Sequence, residues 1–177
     1  AITPDDKIII FASDLEGGQG GKDLWYIKEE GRGQWSSPIN LGSEINTQGN
    51  EMFPFVRDNG DLYFASDGHM GMGGLDIYSA KKKGEGQWGN VANLKAPINS
   101  SANDFAIVFD ADKDRGYLTS SRSGGRGKDD IWEFYTPPVL FVLKVEVRDS
   151  ETGEILPAAA VKLIGTDGTS AEKETGG

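Results

Sequence analysis

One phrase is written three times in this chain. Residues 11–27 read FASDLEGGQGGKDLWYI, residues 64–80 read FASDGHMGMGGLDIYSA, and residues 118–134 read LTSSRSGGRGKDDIWEF. The aspartates that open each second half, Asp23, Asp76 and Asp130, stand 53 and then 54 residues apart. Trp35 and Trp88 keep the spacing of 53, as do Asn40-Leu41 against Asn93-Leu94 and Ile45-Asn46 against Ile98-Asn99. A period of this length, built from short apolar runs and turns, predicts an array of similar small sheets in place of a single continuous core.

The complete middle unit covers about residues 50–99. Residues 51–56 are apolar and β-prone, Asn59-Gly60 is a hairpin turn signal, and residues 61–66 (DLYFAS) give a second strand. A glycine-rich connection at 68–74 leads to a third strand at 76–80, a charged turn at 81–86 and a fourth strand at 87–94 around Trp88. Four short antiparallel strands, repeated, are the layout of a β-propeller blade. Residues 1–138 show no helical period, which excludes a helical solenoid there. The expected class is therefore all-β: about three four-stranded blades of an incomplete propeller over residues 1–136, then the first strands of a β-sandwich over 137–177. Ala1 aligns with Pro54, inside a first strand, so further blades are expected upstream. Pro137-Pro138 follows the third strand of the last unit directly, so that unit is expected to take its outer strand from elsewhere.

Always eight residues separate Asp14 from Asp23, Asp67 from Asp76, and Ser121 from Asp130. Glycine dominates each interval, and the flanking aspartates are expected to accept hydrogen bonds from loop amides and pin the hairpin, with a cation site as the alternative. The pattern S-D, eight residues, D-[LI]-[WY] resembles the WD40-like (PD40) repeat of TolB-type propellers. Its GGxDLW and GGLDIY forms are similar to repeats of the OmpA-family envelope proteins of Bacteroidota, their type IX secretion component above all. The third unit departs from the pattern, with Ser121 in place of aspartate. VEVRDSETGEILPAAAVKLIGTDG at 145–168 resembles the opening of a carboxypeptidase-regulatory-like domain, with strands expected at 143–149 and 160–164 around a turn at 150–154. The resemblance implies a periplasmic, outer-membrane-associated scaffold that links a secretion or envelope complex to peptidoglycan through a C-terminal domain outside this sequence. It implies no catalysis and no cofactor.

Composition narrows the alternatives. Lys+Arg 18 against Asp+Glu 28 gives a net charge of −10, which argues against nucleic acid or an anionic membrane surface as partner. The chain has no cysteine, so thiolate metal sites and cysteine catalysis are excluded. Its longest apolar run, 139–143, is far short of a membrane span. GGQGGKD at 17–23 lacks the Ser or Thr and the helix of a phosphate loop. Asp110, Asp112 and Asp114 imitate half an EF-hand, but the glycine comes late and Ser121 stands at the twelfth position, so a hairpin turn is expected, with a weak calcium site as alternative.

His69 is the only histidine and is expected to be an exposed loop residue; alone it builds no triad and no histidine metal site. A propeller hydrolase would need facing carboxylates, for which Glu51, Asp104, Asp110 and Asp129-Asp130 are the only candidates. Trp25, Trp35, Trp88 and Trp132, with Tyr78 and Phe64, recur in the repeat and are expected to pack between sheets, with a glycan-stacking platform as alternative. The glycine loops at 16–21, 68–74 and 122–127 and the links at 43–49 and 96–102 are expected on one face. Met70, Met72, Arg122, Arg126, His69 and Gln19 are the partner-binding candidates on that face, the two methionines because exposed thioethers suit protein contacts.

Overall fold

A computed structural model describes residues 1–110, 115–135, 144–165 and 170–176. The described residues are strand, turn and loop without a helix. They fall into two compact units, Ala1–Pro137 and Pro138–Gly177.

The first unit contains three antiparallel sheets in chain order. The first is built on β1 (Ile8–Ser13) and β2 (Asp23–Gly31), with β3 (Gln34–Trp35) and β4 (Ile39–Asn40) both paired to β2. The second is a four-stranded meander, β5 (Glu51–Val56), β6 (Leu62–Ser66), β7 (Asp76–Gly84) and β8 (Gln87–Asn93), in that order. The third is β9 (Asp104–Phe109), β10 (Arg115–Ser120) and β11 (Asp130–Tyr135), with β11 outermost among the described residues. Among the described residues only the middle sheet has four full strands. In the first, Pro38 falls between β3 and β4, where it lacks the amide that would continue a ladder, and the leading strand is reduced to one bridge, Ile2 to Ile9.

Alternation sets which face meets which neighbour. On β6, Leu62 and Phe64 turn toward the first sheet, where they join Ile8, Ile10, Leu24 and Ile45 in one core. Tyr63 between them turns the other way and packs with Ile77, Ile107, Leu118 and Phe134 in a second core toward the third sheet. On β7, Tyr78 and Ala80 join the first core and Ile77 the second. The middle sheet is therefore covered on both faces, and every residue of β6 is buried.

The charged turn expected at 81–86 is a correction. β7 runs on to Gly84, and the turn is only Glu85-Gly86, with Gly86 at φ 65°. Burial alone would raise the Asp61 carboxyl, but Lys81 Nζ at 2.6 Å, the Lys82 amide and Asn59 hold it below the usual carboxylate range. These bonds, with the pairings Lys82 to Trp88 and Gly84 to Gln87, keep the lysine-rich stretch in the sheet.

In the second unit, β12 (Ala160–Ile164) pairs with β13 (Ser170–Glu174). A strand was expected at 143–149; within its described part only Arg148 pairs, in a single bridge to Ile155. Arg148 also donates to the Gly153 carbonyl (2.8 Å), across the turn that Asp149 pins by accepting from the amides of Glu151 and Thr152. The turn expected at 150–154 is thus present, and the strand before it has no ladder partner among the described residues.

Candidate functional site

The glycine loops and the inter-unit links form one surface because they are hydrogen-bonded to each other. The Gly21 amide donates to the Gly49 carbonyl (2.8 Å) and the Glu51 amide to the Lys22 carbonyl (2.6 Å). One repeat later the Asp104 amide donates to the Leu75 carbonyl (2.7 Å). Asn50 and Asn103 do matching work: Asn50 Oδ1 accepts from the Lys22 amide (3.1 Å), and Asn103 Oδ1 from the Leu75 amide (3.0 Å). Contact is so close that Gly20 and Gly73, at equivalent places, have no room for a side chain. A Cβ on Gly20 would meet the backbone of Thr47 and Gln48, and one on Gly73 the backbone of Ala102.

The two aspartates of each repeat divide their duties. Asp76 accepts from the amides of Met72 (2.7 Å) and Gly73 (2.9 Å), Asp130 from Gly127 (2.9 Å), and Asp23 from Gln19, so the second aspartate closes its own loop. The first member was expected to do the same and does not. Asp67 reaches back to the preceding link, accepting from the Asn50 amide (2.6 Å) and side chain (2.9 Å), and Ser121 accepts from the Asn103 amide (3.0 Å). Ser66 takes over at the loop entrance, accepting from the amides of Gly68 and His69. Asp14, the equivalent in the first repeat, is exposed.

Buried polar side chains hold the links. Asn46 imitates a strand, accepting from the Leu24 amide (2.8 Å) and donating to the Leu24 carbonyl (2.9 Å); Asn99 does the same for Ile77 at 2.8 Å each. Glu51 accepts from the Thr47 amide and hydroxyl and from Ser66 Oγ. Asp104 accepts from Ser100, Ser120 and Arg122. Both acids are fully buried and spent on link and strand, so neither faces a solvent channel as a hydrolase acid must. Asp110 is paired with Arg115 (2.6 Å), and its amide donates to the Arg115 carbonyl (2.9 Å). Asp112 and Asp114 lie outside the described residues. No cluster of three metal-ligating histidine or carboxylate side chains occurs among the described residues.

Of the six partner-binding candidates, two belong to the framework. His69 is half-buried, which corrects the exposed loop residue expected: its ring packs against Phe64 and Tyr78, and Nε2 donates to the Ile45 carbonyl (2.8 Å). Arg122 binds the carbonyls of Pro97 and Ile98, neutralises Asp104 and lies over Trp132. Both side chains thus turn inward onto matching link carbonyls, those of Ile45 and Ile98. The other four, Met70, Met72, Arg126 and Gln19, are exposed, Met70 at 95% and Met72 at 49%. The tryptophans also divide: Trp88 is buried with Nε1 donating to the Gly60 carbonyl (2.8 Å), whereas Trp35 is 39% exposed and fills no gap between sheets. Among the described residues of the unit no other sheet covers that face.

No protein-family model matches this sequence, and no curated protein matches it. Among the described residues no helix is long and apolar enough to cross a membrane.

Proposed function

We propose that the three sheets are adjacent blades of a WD40-like, TolB-type β-propeller, and that the chain is a non-catalytic scaffold of the bacterial periplasm. Its task is to hold proteins of an outer-membrane or type IX secretion complex on the edge formed by the glycine loops and links. The residues after 137 are the start of a carboxypeptidase-regulatory-like sandwich, and peptidoglycan is reached through a separate domain of the same family. One observation supports the docking edge above the rest. Met70 and Met72 project from a loop whose backbone is already fixed by Asp76, Tyr78 and the next link. A braced loop loses little freedom on binding, and thioethers adapt to an apolar partner surface. The experiment is co-purification of envelope proteins with the double variant Met70→Asp/Met72→Asp. Partner yield falls while the melting temperature stays within a degree or two of the parent, because neither side chain supports the fold. Equal yield of the same partners refutes this edge.

A further inference from the structure

Soft metal ligands are scarce in this chain, and they sit together. It has no cysteine, one histidine and three methionines, and the histidine and two of the methionines fall within residues 69–72, His-Met-Gly-Met. The repeat does not ask for them. One repeat earlier the same positions are Glu16, Gly17 and Gln19, and one repeat later Ser123, Gly124 and Arg126. Met70 and Met72 are exposed, so no packing demand accounts for a thioether at either place.

The histidine is set up as a ligand. Nε2 meets the Ile45 carbonyl at 2.8 Å, and a carbonyl only accepts, so in the neutral ring Nε2 carries the proton and Nδ1 keeps its lone pair. Nδ1 has no hydrogen-bond partner among the described residues. A metal-bound imidazole commonly donates its other N–H to such a carbonyl, which fixes tautomer and ring orientation. Phe64 and Tyr78 hold the ring, with centroids 5.8 and 5.1 Å away. The backbone is held at both ends of the stretch: Tyr78 Oη donates to the His69 carbonyl (3.1 Å), and the Met72 amide donates to Asp76 (2.7 Å).

We propose that His69 Nδ1, Met70 Sδ and Met72 Sδ bind one soft monovalent cation, Cu(I) or its congener Ag(I). Thioether sulfur and imidazole nitrogen suit such an ion, whereas Zn(II) is usually held by thiolate, imidazole or carboxylate and Ca(II) by oxygen. The chain has no thiolate to offer, and Asp76 Oδ2 of the same loop is occupied by the amides of Met72 and Gly73. Three rotatable bonds let each methionine turn its sulfur toward the imidazole. All three ligands come from four consecutive residues on a braced loop, so little chain is ordered on binding. The site goes beyond the scaffold reading and does not rest on it, because it needs no partner protein.

Nuclear magnetic resonance titration of the full chain, labelled with 13C at the methionine methyls and with 15N, tests this. Ag(I) is added in air, and Cu(I) under reducing, oxygen-free conditions. The expected result is saturation at one equivalent of either ion. The methyl signals of Met70 and Met72 and the His69 Nδ1 signal shift, while Met52 of β5 stays unmoved. Met70→Leu and Met72→Leu each weaken Ag(I) binding at least ten-fold at an unchanged melting temperature, since both side chains are exposed. Met52 shifting with the other two, as for an adventitious ion on any thioether, overturns the proposal. So does a His69 Nδ1 signal that does not respond, an affinity indifferent to both leucine variants, or an equal methyl shift with Zn(II). The purified chain is titrated alone, so this result and partner co-purification are read separately.

Discussion

A methyl group added at Gly73 tests how firmly each loop leans on the next link. Its Cβ would overlap the Ala102 carbonyl oxygen and stand 3.0 Å from the Ser100 carbonyl oxygen. Relief requires the link to move, and that link holds the bonds from the Asp104 amide to the Leu75 carbonyl (2.7 Å) and from the Leu75 amide to Asn103 (3.0 Å). Overpacking of roughly 1–3 kcal/mol, with about 1 kcal/mol for weakened hydrogen bonding, puts Gly73→Ala at about 2–4 kcal/mol destabilising. For a chain of this size that lowers the melting temperature by about 5–15 °C. Gly127 is the internal control. It is the equivalent glycine of the third repeat, yet the nearest described atom to its Cβ would be the Asp129 carbonyl oxygen at an ordinary 3.5 Å. Gly127→Ala is therefore neutral, or stabilising by up to about 1 kcal/mol through the unfolded chain. Urea unfolding followed by tryptophan fluorescence compares the two, with the slope against denaturant checked for constancy. Equal effects at the two glycines would show that the link does not brace the loop.

Asn99→Ala strands the buried Ile77 amide and costs roughly 2–3 kcal/mol; the Ile77 amide exchanges faster with deuterium, and unchanged exchange contradicts the strand-like role of the side chain. Lys81→Met removes the principal counterion of Asp61 and leaves only the Lys82 amide and Asn59 to oppose the effect of burial. In the parent the depressed carboxyl contributes stability that is present above the unfolded Asp range near 3.9 and lost as pH falls below it, so the variant is weaker by roughly 1 kcal/mol at pH 7 and converges with the parent toward pH 3. A stability difference independent of pH argues against that pairing.

The strands were legible wherever alternation and a turn glycine coincided. β5 and β12 begin and end where the apolar pattern does, and the Asn59-Gly60 turn joins β5 to β6 with Gly60 at φ 84°. β7 was underestimated because Lys81, Lys82 and Lys83 look like a solvated turn, and only the three-dimensional placement of Asp61 and of Glu44 explains them. The links were harder still. Asn46, Asn50, Asn99 and Asn103 act on residues 17 to 28 positions away, and a repeated asparagine looks the same whether it faces water or closes a buried ladder. The available signal was the Ile-Asn dipeptide, since a polar residue repeated beside an apolar one at a fixed period points to a shared internal partner. His69 and Arg122 stand at glycine-loop entrances and read as exposed, partner-facing loop residues. Nothing in their local sequence shows that they fold back onto the carbonyls of Ile45 and Ile98.

Because each link braces both the second half of the loop before it and the entrance of the loop after it, the repeat visible in the sequence and the unit that holds itself together are out of phase. A piece cut at Asn50 and Asn103 keeps four strands and the link after its loop but loses the Ile45 carbonyl and Thr47 at the loop entrance, whereas a cut at the loop tips keeps each link with both half-loops that lean on it. Anyone transplanting one unit into another array would do better to cut at the tips, near Gly18 and Gly71. The same offset accounts for the drift of the last copy. No described link crosses its loop, so Lys128 stands where Gly21 and Gly74 lie against the asparagine of the following link, and the phrase is free to decay there without disturbing a described neighbour.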